Sequence, residues 1–263
     1  MQEATDRDTA WNKIPALTLL FWITKITATT LGETGGDLLA QTLGVGYATS
    51  TLIFFAFFLV MVSFQLAARR YMPPVYWAVI VATSTAGTTM SDYMDRTLEL
   101  GYATGSAIIA SALVIVLLVW HYTEGSLSVS RIHSRRGEVF YWIAILISNT
   151  LGTALGDFLA DDSGLGFGGS AALISGVLLL IILAYYFTRL SRVVLFWIAF
   201  VLTRPFGATF GDLLTKPRDH GGLEYGTKMA SLILLALLVV LVIWETIRLK
   251  GEQRHATLRT GGR

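Results

Sequence analysis

The chain has 263 residues, 54% of them hydrophobic and only 14% charged, whereas a soluble domain carries about 25% charged residues. It contains no cysteine, which excludes disulfides, thiolate metal sites and thiol catalysis. The formal net charge of +2 says little by itself, because the charges are clustered and leave long apolar runs between them.

In chain order, residues 1–13 are polar and acidic, with neither the basic start nor the small-residue cleavage site of a signal peptide. They are expected to form a cytoplasmic N-terminal segment. Apolar runs such as 51–64, 107–120, 171–187 and 231–244 reach or approach the length that crosses a bilayer core of about 30 Å. Eight spans are predicted near 14–39, 47–67, 74–93, 102–121, 138–158, 167–187, 192–213 and 225–246. They divide into four spans in 14–121, a cytoplasmic linker at 122–137, four spans in 138–246 and a basic cytoplasmic tail at 247–263. The tail reads as an anchor beside anionic lipid rather than a nucleic-acid contact.

The spans repeat. Trp22, Trp77, Trp142 and Trp197 each precede an aspartate by 15 residues, namely Asp37, Asp92, Asp157 and Asp212. Five residues before each aspartate stands Gly32, Gly87, Gly152 or Gly207, and one residue before it Gly36, Ser91, Gly156 or Gly211. An aromatic residue opens the second span of each copy: Tyr47, Tyr102, Phe167 and, after a longer loop, Tyr225. Each copy holds two spans, so all four enter the membrane in the same direction, related by rotation about the membrane normal. The fold class expected is an all-α membrane protein of eight transmembrane helices, from four parallel two-helix repeats.

Basic residues fix an orientation. Arg69, Arg70, Arg131, Arg135, Arg136, Arg189 and Arg192 lie in connections on one side, and Arg96, Lys216 and Arg218 on the other. The excess places both termini and the linker in the cytoplasm. The tryptophans then sit near the cytoplasmic interface, where an aromatic belt is the ordinary role. The aspartates lie roughly 22 Å further out at 1.5 Å per residue.

The small residues four apart let helix backbones approach closely, so the odd-numbered helices are expected inside and the more uniformly apolar even ones outside. On the helical face of each aspartate, eight residues earlier, stand Thr29, Ser84, Asn149 and Arg204, and four earlier Glu33, Thr88, Thr153 and Ala208. Lys25 extends this stripe in the first copy. Charges inside a span are costly unless paired or wet, so Lys25, Glu33 and Arg204 are expected to face one another across a cavity. Pro205 should kink the seventh span. No zincin, P-loop or nucleophile-elbow motif is present, and His121, His133, His220 and His255 lie in or beside loops or the tail.

The stretches 25–37 (KITATTLGETGGD) and 203–214 (TRPFGATFGDLL) resemble a bacterial membrane-protein family catalogued as a repeat of unknown function, with four tandem two-span copies and a characteristic tryptophan. The resemblance implies the topology and no substrate.

The residues themselves point to a secondary transporter of a small cation, manganese or magnesium among the candidates, coupled to protons. In this reading Glu33, Asp37, Asp92, Asp157 and Asp212 form cation or proton sites, with Glu33, Asp37, Asp157 and Asp212 as metal ligands. Thr29, Ser84, Asn149, Thr88 and Thr153 add neutral oxygens, and Lys25, Arg204 and Lys228 compensate charge. The alternatives are a transporter or channel for an organic or anionic solute bound by Arg204 and Lys25, or a non-transporting scaffold or sensor. No catalytic residue, no cofactor and no nucleic-acid partner are expected. The expected setting is multi-pass insertion in the bacterial cytoplasmic membrane, with lipid as partner and self-association compatible with the sequence.

Overall fold

A computed structural model describes residues 13–129, 132 and 134–260. Apart from Lys13, the expected N-terminal segment lies outside the described residues, as do 130, 131 and 133 of the linker and 261–263 of the tail.

The described residues form eight α-helices and no strand: α1 (Leu19–Asp37), α2 (Tyr47–Ala67), α3 (Pro73–Asp92), α4 (Tyr102–Glu124), α5 (Arg135–Asp157), α6 (Gly166–Phe187), α7 (Arg192–Thr215) and α8 (Thr227–Thr260). Local chemistry sets the starts. The Thr18 hydroxyl accepts the Phe21 N–H at α1, and Ser134 accepts that of Gly137 at α5, relieving backbone donors that have no partner within the helix. Pro73 opens α3, where its missing N–H costs nothing. Gly46 and Gly101 cap α2 and α4 at φ of 83° and 72°, and Gly226, directly before α8, also has a positive φ of 77°. This corrects the fourth copy's alignment. The residue that follows the turn glycine is Thr227, and Tyr225 lies exposed ahead of it.

Six helices, all but α1 and α3, are long and apolar enough to cross a membrane, so the chain is a multi-pass helical membrane protein. Helix α1 carries Lys25, Glu33 and Asp37, and α3 is rich in serine and threonine. α8 continues without a break to Thr260, so most of the expected tail is helix. α7 likewise runs on through Pro205.

The packing order is cyclic. α1 packs on α3, α3 on α5, α5 on α7 and α7 back on α1. Each even helix lies against the odd helix of the next copy, α2 on α3, α4 on α5 and α6 on α7, and α8 closes the circle on α1. The outer helices leave most of their apolar surface exposed, whereas α5 is largely buried and α7 half buried.

The glycines make these crossings. A Cβ on Gly32 would overlap Ser84, one on Gly152 would overlap Arg204, one on Gly87 would come within 2.8 Å of the Thr150 backbone nitrogen, and one on Gly207 within 2.6 Å of the Thr29 hydroxyl. In every case the glycine five residues before one aspartate meets the residues at or beside the position eight before the next. A single geometric relation is thus used four times around the ring.

At the opposite end the ring is filled by aromatics. Phe21 lies 5.7 Å from Trp77, Tyr76 5.5 Å from Trp142 and Phe196 6.0 Å from Trp22, while Trp120 bridges Tyr141 and Trp197. The expected interfacial belt is therefore corrected: Trp77, Trp142 and Trp197 are buried and Trp22 is half-buried. The residue before each tryptophan (Phe21, Tyr76, Tyr141 or Phe196) is also aromatic, and together they build a closed plug rather than a lipid-facing girdle. Most donors in the plug find partners: the Tyr76 and Tyr141 hydroxyls share a hydrogen bond of 2.6 Å, and Trp77 and Tyr71 both donate to Glu245 of α8 at 2.8 Å, while the Trp142 indole N–H is buried without one.

Candidate functional site within the helix ring

Helical spacing stacks the inner-helix residues in layers along the ring axis. Sixteen residues before the aspartates stand Phe21, Tyr76, Tyr141 and Phe196, and twelve before them Lys25, Ile80, Ile145 and Phe200. All of these but Phe196 are buried, and Phe196 packs partly buried against the core.

In the layer eight before the aspartates, Thr29, Ser84, Asn149 and Arg204 are each 0% exposed. Thr29 donates to the Ile26 carbonyl at 3.0 Å, the Ser84 carbonyl accepts from Arg204 at 3.4 Å, and Asn149 donates to the Thr83 hydroxyl at 2.9 Å. Arg204 reaches towards the next layer. Its Nη1 lies 3.0 Å from Glu33 Oε2, and its Nη2 donates to Thr153 at 2.8 Å and to Thr88. Both hydroxyls in turn donate to Glu33 Oε2 at 3.3 Å. Four side chains from four helices thus close one network, and Ala208, small and fully buried in the same layer, completes it. Such a pair is costly to bury and more costly to break.

In the aspartate layer the four carboxylates are nearly inaccessible and are held in two trios. Lys216 lies 2.6 Å from Asp37 and 3.3 Å from Asp212; Arg96 lies 3.1 Å from Asp92 and 3.3 Å from Asp157. Gln41 also donates to Asp37 at 2.6 Å. The bases keep contact with solvent, their side chains being 19% exposed for Lys216 and 35% for Arg96, against 3–4% for the aspartates. Burial works against the Lys216 charge, and Asp212 and Asp37 more than offset it, holding the ammonium above the usual lysine range. Arg96 is likewise held charged, Asp92 and Asp157 overcoming its burial. With every group ionised, each trio keeps one negative charge in excess. Glu33, Asp37 and Asp212 bring carboxylate oxygens within 4.8 Å of one another, the arrangement among the described residues that could hold a metal ion.

By their place in the sequence Arg96 and Lys216 belong to outer loops, outside the predicted site. The signal was present: each stands four residues after an aspartate, on its own helical face. What hid it is the local backbone. The first three aspartates are followed by wide π-helical turns, Leu38–Thr42, Tyr93–Thr97 and Phe158–Asp162, so the inner helices outlast their predicted ends. The expected counter-ion Lys228 is instead exposed in the first turn of α8, and no ion pair among the described residues involves it. Lys25 does not face Glu33. It lies fully buried with its ammonium 3.6 Å from the centre of the Phe200 ring. Asp95, by its position an outer-loop residue, is buried, accepts a hydrogen bond from Ser91 and packs where Gly105 leaves room.

Four tandem segments, 20–71, 75–126, 140–191 and 195–248, match the family model described as Repeat of Unknown Function (DUF347). Each begins two residues before one of the repeat tryptophans, and together they take in most of the chain, which belongs to this family. No curated protein and no solved structure matches it.

Proposed function

We propose that this four-repeat chain is a secondary transporter of a small cation, coupled to protons, with the exchangeable site formed by Glu33, Asp37 and Asp212 around the Lys216 ammonium. The observation that carries the reading is the convergence of those three carboxylates within 4.8 Å on a cationic group already held at 2.6 Å and 3.3 Å from two of them. Carboxylate oxygens suit a hard cation, with manganese and magnesium among the candidates. Lys216 acts as a tethered stand-in: it balances the carboxylates when no substrate is present and swings towards solvent when one enters. The excess negative charge of the trio is neutralised by a proton or by the cation, and that competition is the coupling.

The second trio plays a different part. A guanidinium does not lose its proton in proteins and binds carboxylates through a rigid fork, so Arg96 fills the space between Asp92 and Asp157 permanently and braces that half of the ring.

In this reading all eight helices span the bacterial cytoplasmic membrane, including the polar-striped α1 and α3, whose charges face the ring axis. The four copies are related by rotation about the membrane normal, and both termini are cytoplasmic, so the aspartate layer opens outward. Reporter fusions after Arg70 and Arg136 should report cytoplasm, and one after Asp161 the outside; a reversal overturns the orientation.

The transport reading is tested with purified protein in liposomes, varying manganese, magnesium, monovalent cations and the pH gradient. Cation-dependent proton movement that disappears in Glu33→Gln and Asp37→Asn is expected. No flux of any cation in either direction of pH gradient removes the reading.

A further inference from the structure

The middle of the ring carries the opposite charge balance from its aspartate end. Two cationic side chains, Lys25 and Arg204, are fully buried there with one carboxylate, Glu33, which Arg204 holds at 3.0 Å. Lys25 Nζ, Arg204 Nε and Ser84 Oγ are all buried without a hydrogen-bond partner in the protein. Lys25 Nζ lies over the face of Phe200, which stands one helical turn before Arg204 on the same helix. The three groups occupy adjacent levels of the axial stripe, on three neighbouring helices.

Buried polar groups are almost always hydrogen-bonded, and a buried charge without a partner is more costly still. Here the unused groups are chiefly N–H and O–H donors, grouped beside the Arg204 guanidinium. We propose that the ring binds a small monovalent anion of the halide class between Lys25 and Arg204, one to two helical turns inside the Glu33 network. Lys25 supplies charge and up to three donors, Arg204 its Nε–H, and Ser84 a hydroxyl. Ile80, Ile145 and Phe200, in the Lys25 layer, keep the site dry and favour a weakly hydrated ion over a large oxyanion. This site is separate from the carboxylate cluster and stands whether or not that cluster carries a cation.

The experiment is thermal unfolding of the purified, detergent-solubilised full chain in sodium chloride, sodium bromide and sodium gluconate at matched ionic strength and pH. Chloride and bromide are expected to raise Tm saturably by a few degrees over gluconate, because a ligand that binds only the folded state stabilises it. Lys25→Met should lose that response and, in gluconate, be at least as stable as the parent, since a buried amine without a hydrogen-bond partner has gone. Equal Tm in all three salts, or an unchanged halide response in Lys25→Met, overturns the proposal. Should Lys25→Met fail to accumulate, anomalous scattering from bromide-soaked wild-type crystals decides. A peak within hydrogen-bond reach of Lys25 Nζ is expected, and bromide confined to the protein surface overturns the site.

Discussion

The two ends of the helix ring are built from the same four helices with the same spacing, yet they are opposites. At the tryptophan end, Phe21, Tyr76 and Tyr141 are buried among tryptophans, and the hydrogen bonds of the layer run between Tyr76 and Tyr141, from Trp77 to Glu245 and from Trp197 to the Leu127 carbonyl. At the aspartate end, four carboxylates share two bases that touch solvent. One end is packed and nearly free of charge; the other is incompletely neutralised and reachable. The difference teaches where change is tolerated. A packed aromatic layer does its work by filling space, whereas a shared-charge layer has spare capacity that a proton or ion can fill.

The most severe way to break this comparison is to force the ring apart, which should abolish both ends together. A Cβ on Gly152 already overlaps the Arg204 side chain and lies 3.0 Å from Pro205 Cδ. Overpacking a tight site costs about 1–3 kcal/mol and at times more, and a leucine adds three further carbons. Gly152→Leu is expected to yield little folded protein, measured by size-exclusion profile and thermal melt; wild-type behaviour would mean the crossing is looser than it looks.

Next in size is Glu33→Gln. It keeps the shape and a hydrogen-bonding oxygen but leaves Arg204 without its carboxylate, and breaking a buried pair costs about 3–5 kcal/mol. Lower thermal stability and complete loss of cation flux are expected. Asp162→Asn, at an exposed site just past the aspartate layer, should leave both unchanged. Equal flux from the two variants would remove the carboxylate site.

The two trios then sharpen the comparison within the aspartate end. If Lys216 is the displaceable cation, Lys216→Gln should bind manganese more tightly in a direct titration while turning over more slowly. Arg96→Gln should mainly lower Tm, with manganese affinity close to wild type. Indistinguishable manganese affinities for the two variants would show that the trios are interchangeable.

The smallest effect belongs to the packed end. Trp77→Phe removes the 2.8 Å hydrogen bond to Glu245 while keeping an aromatic ring in the plug. A cost of about 1 kcal/mol, seen as a Tm a few degrees lower with flux intact, is expected. Loss of flux without loss of stability would instead make the plug part of the transport path.

Much of this architecture follows from the chain alone. Apolar runs too long and too uncharged for a soluble fold require a membrane, because backbone groups in lipid must be satisfied within helices. The fixed distances among tryptophan, glycine and aspartate define four copies, and helical periodicity puts Glu33, Thr88, Thr153 and Arg204 on one stripe before any contact is known. Periodicity is a property of a single helix, however, and says nothing about which helix lies opposite. Only the closed ring decides that Glu33 of the first copy pairs with Arg204 of the fourth, and that each even helix packs on the next copy rather than its own. It also decides that the tryptophans face inward. Arg96 and Lys216 escaped a reading by predicted span ends because π-helical turns and the α7 terminus carry the inner stripe one turn further. Lys228 looked like a counter-ion because its charge is near in sequence, but its direction is set by where α8 meets α1. Charge partners across a bundle are fixed by the packing that brings helices together, which no spacing along one strand of sequence encodes.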